Sequence, residues 1–159
     1  MTRPILLRTL VAFILSVGVN IACFAQLQTV SVQDLESRMK DEGKLAFVFF
    51  HTDWCTICHG MRQTTLNEPR VMETLNTHFL FLPFDADQRE SVEYAGQTFR
   101  YRPKGSAAGT HEWALELAPV NGKVHFPTLT AFDAQNEIVF QHQGLLDPDA
   151  LLVVLEELL

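Results

Sequence analysis

The chain has 159 residues, of which 47% are hydrophobic and 19% charged, and its formal net charge is −7. This length fits one domain, and the ordinary composition without long Gly/Ser, Gln or Pro tracts argues against disorder. Binding to phosphates draws its affinity from clustered Lys and Arg. The acidic balance therefore argues against nucleic acid or anionic lipid as the main partner.

Residues 1–25 have the layout of a secretory signal. Arg3 and Arg8 accompany the start of an apolar run that has no acidic residue and ends in small residues. We expect cleavage after Ala25 and export of the remaining chain. The alternatives are an uncleaved anchor, since the run approaches the about 20 residues that span a bilayer, and lipid modification of Cys23.

Cleavage would leave Cys55 and Cys58 as the only cysteines, and removal of two arginines would bring the net charge to −9. A secreted scaffold held by disulfides shows several dispersed cysteines. A pair three positions apart closes too short a loop to constrain the unfolded chain much. The two cysteines are therefore better suited to chemistry than to structure.

The first predicted elements are a short β-like stretch at 27–30 and a helix that Ser31 caps and that runs to about Lys40. Gly43 is expected to end this helix. Residues 45–50 form a continuous apolar run without alternation, which is typical of a central strand covered on both faces. The pattern therefore indicates an α/β sheet.

A helix is expected to begin at Cys55 and to continue towards Asn67. A second helix should follow, with Pro69 in its first turn. Residues 78–84 then form another apolar strand. The order up to this point is β-α-β-α-β.

Between 88 and 125 the pattern is less regular. We expect a helix-like piece, a basic loop at 100–105 and a second helix-like piece at 111–118. The loop places Arg100, Arg102 and Lys104 on an acidic protein. It is either a solvated loop or a surface that recognises an acidic partner.

The last part predicts two strands, 128–132 and 137–142, joined as a hairpin through a turn at 133–136. Asp147 and Pro148 then begin a leucine-rich terminal helix.

This arrangement resembles the thioredoxin superfamily. A buried strand enters Trp54-Cys55-Thr56-Ile57-Cys58, which opens a helix, and Phe126-Pro127-Thr128 precedes a hairpin and a terminal helix. The resemblance covers roughly residues 26–159, with about 88–125 as an insertion relative to compact thioredoxins. It implies an α/β fold with a central mixed sheet flanked by helices, and a cis Phe126–Pro127 bond.

The resemblance is strongest to exported thioredoxin-like proteins and to the C-terminal domain of transmembrane disulfide reductases. It implies a thiol–disulfide oxidoreductase that exchanges disulfides with protein substrates, more as a reductant than as an oxidant. The implied setting is the bacterial periplasm, with a membrane electron donor of the disulfide-reductase type. We expect a monomer that uses neither a cofactor nor a metal.

Thiol–disulfide exchange needs an attacking thiolate and a second thiol that resolves the mixed disulfide. Cys55 in the first turn of a helix would meet backbone N–H groups and the helix dipole, which lower a thiol pKa from about 8.5 towards neutrality. We therefore assign Cys55 as the nucleophile and Cys58 as the resolving thiol of a redox-active disulfide. A static disulfide is the alternative.

Trp54 and Pro127 are expected to flank the sulfurs and to offer backbone groups to an extended substrate segment. Phe126 and Thr128, on either side of the proline, would support the same surface. For Trp54, simple packing in the core is the alternative.

His51 and His59 bracket the motif, and an imidazolium near Cys55 would favour the thiolate. The alternative is that both histidines are merely solvated. A weaker version of the same argument applies to His125.

Two positions depart from compact thioredoxins. Phe49 stands six residues before the first cysteine, where that family carries a buried aspartate. Thr56-Ile57 replaces the usual Gly-Pro between the cysteines. Because of these two departures, the resemblance does not imply that this chain is as strongly reducing as compact thioredoxins.

Three rival interpretations belong to other classes. Cys55-Thr56-Ile57-Cys58-His59 also spells the attachment motif of c-type haem, although such cytochromes are mainly helical. A zinc module would need two more ligands in a paired spacing. A thioredoxin-fold protein that binds clients without turnover would not need the cysteine pair.

Overall fold

The computed structural model of the protein describes residues 26–105 and 107–159. The expected signal segment and Cys23 lie outside the described residues. Within the described ranges, no helix is long and apolar enough to cross a membrane.

Five helices and eight strands are present in the described part of the chain. The helices are α1 (Val32–Glu42), α2 (Thr56–Gln63), α3 (Pro69–His78), α4 (Glu112–Leu117) and α5 (Pro148–Glu157). The strands are β1 (Leu45–His51), β2 (Phe79–Asp85), β3 (Val92–Tyr94), β4 (Gln97–Phe99), β5 (Tyr101–Lys104), β6 (Ala107–His111), β7 (Thr128–Phe132) and β8 (Ile138–Gln143).

The central sheet has four strands in the order β2-β1-β7-β8. β1 is parallel to β2 and antiparallel to β7, and β7 is antiparallel to β8. Helices pack on both faces of this sheet, which confirms the predicted mixed sheet flanked by helices.

Strand β1 is buried on both faces, as its unbroken apolar run predicts. Val48 and Phe50 face a cluster that includes residues of α1 and α4. Phe47 and Phe49 face a second cluster built with α2, α3 and α5. Both cysteines belong to the second cluster, so the candidate site lies on that face.

The predicted first helix is confirmed. The Ser31 hydroxyl donates to Asp34 Oδ2 at 2.6 Å and accepts from the Asp34 backbone N–H at 3.2 Å, which caps the helix. Gly43 has φ 64° and its N–H donates to Met39 O. A left-handed residue is favourable there because glycine has no Cβ.

Two secondary-structure predictions for the N-terminal half of the chain were wrong. Residues 27–30 form no strand, because a single backbone bond, Val30 N to Phe81 O at 2.9 Å, joins them to the sheet edge. Helix α2 ends at Gln63 rather than near Asn67. The Thr65 hydroxyl there donates to Leu146 O at 2.6 Å, a long-range contact that ties the end of the helix to the segment before α5.

The prediction of a helix-like piece after residue 88 was also wrong, because these residues form the hairpin β3–β4. Ala95 and Gly96 both have positive φ, 49° and 74°, as a two-residue hairpin turn requires. The prediction of a basic loop at 100–105 was wrong as well, since Arg102 and Lys104 belong to β5, which pairs with β6. Helix α4 confirms the second helix-like piece.

The C-terminal prediction is confirmed in order and type. β7 and β8 form an antiparallel hairpin. The Asp147 carboxylate then accepts from Ala150 N at 2.8 Å and caps α5, with Pro148 in the first turn.

Candidate active site

Cys55 lies at the junction between β1 and α2. Its backbone N–H donates to Thr52 O at 3.2 Å, which forms the turn that leads from the strand into the helix. As N-cap of α2, its Sγ accepts from the Cys58 backbone N–H at 3.1 Å. The sulfur therefore lies at the positive end of the helix dipole, where a thiolate is stabilised.

The two sulfurs are bonded to each other, with an S–S distance of 2.02 Å and Cα atoms 5.2 Å apart. Cys55 is 6% exposed and Cys58 is 2% exposed. The structure thus brings the two predicted reactive residues together in a nearly buried disulfide at a helix start.

Large apolar side chains are exposed on both sides of Cys55. Trp54 is 65% exposed and Ile57 is 54% exposed, so Trp54 is not a core residue. The Trp54 indole N–H donates to Asp87 Oδ2 at 2.7 Å, and its ring meets Phe126 edge-on with centroids 6.4 Å apart. Trp54 therefore connects the motif with both the end of β2 and the segment before Pro127.

The Phe126–Pro127 bond is cis, as the resemblance implies. Pro127 O accepts from Gly144 N at 2.8 Å, and the Thr128 hydroxyl donates to His125 O at 2.6 Å. Phe126 packs against the cluster that contains both cysteines. The structure thus holds this segment beside the disulfide, whereas His125 is exposed.

His51, the last residue of β1, is only 8% exposed. Burial and the Arg62 guanidinium lower its pKa from 6.5 to about 4. Arg62 Nη2 donates to His51 Nε2 at 2.9 Å, and an arginine can only donate, so the proton of the ring is on Nδ1. At pH 7 the ring is uncharged, and any tuning of the thiols by His51 would not come from an imidazolium.

His59 is exposed, and its Nε2 lies 2.9 Å from Asp53 O. Because a carbonyl only accepts, Nε2 carries a proton. This bond ties α2 back to the loop before Trp54.

An aromatic ring lies where compact thioredoxins carry their buried aspartate. Phe49 is fully buried, stacks on His51 with centroids 5.4 Å apart, and has the Arg62 Cζ atom 6.0 Å from its ring centroid. Among the described contacts of this ring, Arg62 is the charged side chain. It stands four residues after Cys58, on the same side of the helix.

Sequence reasoning missed Arg62 and Asp87. The i, i+4 spacing from Cys58 could have identified Arg62 as a neighbour of the motif. Asp87 follows the end of β2, and the carboxyl ends of the parallel strands β1 and β2 meet at one edge of the sheet. That placement could have identified it as a neighbour of Trp54.

The sequence profile of the thioredoxin-like domain family matches residues 32–159. No curated protein sequence matches the chain.

Several solved structures are similar to the chain. A thioredoxin from Thermus thermophilus has a TM-score of 0.61 at 19% identity, covering 83% of this chain and 86% of that one. A DsbH oxidoreductase has a TM-score of 0.60 at 18% identity, covering 84% of each chain. The reduced C-terminal domain of Neisseria meningitidis DsbD has a TM-score of 0.54 at 17% identity, covering 79% of this chain and 90% of that one. At these identities the likeness establishes the fold.

Proposed function

The chain belongs to the thioredoxin-like domain family, and from this premise we propose that it is a thiol–disulfide oxidoreductase acting on protein substrates through Cys55 and Cys58. The observation that carries the proposal is the Cys55–Cys58 disulfide at the N-terminus of α2. A structural staple would not need to sit at a helix start beside exposed apolar side chains.

The dithiol form would reduce a substrate in two displacements. The Cys55 thiolate attacks one sulfur of a substrate disulfide, and the other substrate sulfur leaves as a thiolate. The Cys58 thiolate then attacks Cys55 Sγ, which releases the second substrate sulfur and restores the Cys55–Cys58 disulfide. The substrate gains two electrons, and an external dithiol donor returns two electrons to the protein.

The surface around Cys55 supports a peptide substrate. Trp54 and Ile57 are exposed beside the sulfurs, and Phe126 packs edge-on against the indole. Exposed apolar side chains that lie together mark interaction sites. An extended segment lying across Trp54 and the Phe126–Pro127 backbone would bring its disulfide to Cys55.

More specifically, we infer that the protein is a monomeric reductant of the bacterial periplasm that receives electrons from a membrane donor. This inference is supported by the signal-like layout of residues 1–25 and by the similarity of fold to proteins named DsbH oxidoreductase and DsbD C-terminal domain. Cleavage after Ala25 would leave residues 26–159 as the thioredoxin-like domain.

The reduction potential of the chain, measured in glutathione and dithiothreitol buffers, tests the proposal. A potential below about −220 mV supports the reductant, and one above about −150 mV indicates an oxidant. The matched control is Cys58→Ser, which keeps Cys55 but has no dithiol.

A visible spectrum of the same sample tests the alternative that the chain carries a c-type haem. A Soret band, or the absence of any dithiol that titrates, would contradict the proposed function.

A further inference from the structure

A cavity of about 830 Å³ opens on the face of the sheet covered by α2 and α3. Two cross-strand pairs line its floor, Phe49 with Pro83 and His51 with Asp85. Small-molecule sites commonly occupy about 300–1,000 Å³. Among the described residues that line it, neither Cys55 nor Cys58 is present, so the cavity is separate from the disulfide surface.

The wall is apolar over much of its area. Leu27, Met72 and Pro83 contribute methyl groups, a thioether and a ring to its surface, whereas Phe49 and Phe81 are only 0% and 3% exposed. Such a wall offers favourable burial to an apolar body, while a few polar groups at a site fix orientation and specificity.

Arg62 supplies the cation of this cavity. In the part of the chain that the structure describes, the ion pairs involve Arg38, Arg70 and Arg102 but not Arg62. Within the same ranges, its side chain donates to His51 Nε2. A guanidinium has five N–H donors in a planar fork that matches a carboxylate, so most of its donors remain for a ligand.

The other polar groups restrict the charge of that ligand. His51 is neutral because Arg62 donates to its Nε2, so it adds no second cation to the wall. Asp85 also lines the cavity, and its Oδ1 accepts from the Asp87 backbone N–H at 3.0 Å. One guanidinium against one carboxylate suits a ligand with a single negative charge better than a phosphate dianion.

We propose that this cavity binds a small organic monocarboxylate, with its carboxylate on Arg62 and its apolar body against Leu27, Met72 and Pro83. The site is a further binding function and does not depend on disulfide exchange.

The test uses phenylacetate as the probe and its uncharged analogue phenylacetamide as the matched ligand control. Each is titrated into the full chain in the oxidised state while ¹H–¹⁵N spectra are recorded. Phenylacetate should produce saturable shifts at the amides of Phe49, Arg62 and Met72. Phenylacetamide should bind at least tenfold more weakly.

The diagnostic variant is Arg62→Met, which should weaken phenylacetate binding at least tenfold. Arg38→Met is the matched control, because it removes an arginine that pairs with Glu42, and it should bind as the parent does. Met72→Trp, which fills the cavity and leaves Arg62 in place, should weaken binding as well.

Three results would overturn the site: shifts that do not saturate, equal binding of acid and amide, or unchanged binding in either Arg62→Met or Met72→Trp. Titration of the dithiol on the same samples tests the proposed function separately. If the chain binds phenylacetate but has no titrating dithiol, the site stands and the exchange reaction is excluded. If the dithiol titrates but phenylacetate does not bind, the exchange reaction stands and the site is excluded.

Discussion

The Trp54 indole donates its N–H to the Asp87 carboxylate at 2.7 Å, across 33 positions of sequence. This bond holds an exposed ring in one orientation beside Cys55. Asp87 follows the end of β2, so the sheet itself positions the exposed tryptophan. The relationship makes Asp87 a positioning residue, and it can be tested without touching the sulfurs.

Asp87→Ala should slow the reduction of a protein disulfide by about three- to tenfold, because a hydrogen bond to a charged group contributes about 1.5–3 kcal/mol and part of that orients Trp54. The measurement is the rate of insulin reduction with dithiothreitol as electron source. Asp87→Asn, which keeps an acceptor oxygen, should retain most of the rate. The reduction potential should stay unchanged in both variants, and an equal rate in Asp87→Ala and the parent would exclude the positioning role.

Cys58→Ser should accumulate a mixed disulfide with substrate, because the resolving thiol is lost while Cys55 keeps its place at the N-cap of α2. Cys55→Ser should form no such adduct, since Cys58 is 2% exposed and lies inside the helix. Non-reducing electrophoresis with mass spectrometry detects the species. Adducts formed through Cys58 at the same yield would reverse the assigned roles.

The parts of the fold that the sequence predicts well are those with strong local signals. The unbroken apolar runs of β1 and β2 indicate buried strands, and Ser31 and Gly43 mark the ends of α1 by their side-chain and backbone chemistry. In the site, the Cys55–Cys58 disulfide and the cis Phe126–Pro127 bond are those that the resemblance to the thioredoxin superfamily implies.

The missed parts are strands too short for a clear pattern and contacts that form only in the folded chain. Strands β3 and β4 have three residues each, which is too short for a period-2 pattern to be distinguished from a helical one. Gly109 is required in β6 because a Cβ there would lie 2.0 Å from Arg102 O, and that approach exists only in the folded hairpin. The Arg62–His51 contact likewise arises only when α2 packs against β1.

Thr52 provides a test of an unpartnered polar group next to the motif. It is 1% exposed, and its hydroxyl has no hydrogen-bond partner among the described residues. Thr52→Val should therefore leave the free energy of unfolding unchanged or raise it by up to about 1 kcal/mol, because the desolvated hydroxyl is removed.

The matched control is Thr130→Val, in a residue that is also fully buried but donates to Leu117 O at 2.8 Å. This change should lower the free energy of unfolding by about 0.5–1.5 kcal/mol, because it removes one buried hydrogen bond while Leu117 O still accepts from Gln141 Nε2 at 2.7 Å. Urea unfolding of both variants gives the comparison. A loss in Thr52→Val as large as that in Thr130→Val would mean that the Thr52 hydroxyl has a partner in solution.

The stability of the protein should fall as the pH falls from about 6.5 to about 4, the interval between the ordinary pKa of a histidine side chain and the pKa of His51 in the folded chain. Burial also lowers the pKa of His111, whose Nδ1 accepts from the Trp113 N–H and whose Nε2 lies 3.1 Å from Glu90 O. Below the unfolded pKa the unfolded chain binds more protons than the folded chain, so acid favours unfolding. The stabilisation is complete above about pH 6.5 and disappears as the pH falls through the folded pKa.

Each pKa unit corresponds to about 1.4 kcal/mol, and partial solvation at the open cavity reduces the His51 contribution to about 2 kcal/mol. Urea unfolding at half-unit steps between pH 4 and 7.5 measures it. His51→Phe should reduce the loss of stability across this interval to the part that His111 contributes, whereas His59→Phe, in an exposed residue, should leave the profile of the parent. The carboxylates of Glu36 and Glu42, whose pKa values neighbouring basic side chains lower, are present in the parent and in both variants, so they do not contribute to the difference between the profiles. A parent profile that stays flat down to pH 4 would mean that His51 is protonated in the folded chain as easily as in the unfolded one, which its burial against Phe49 and Arg62 opposes.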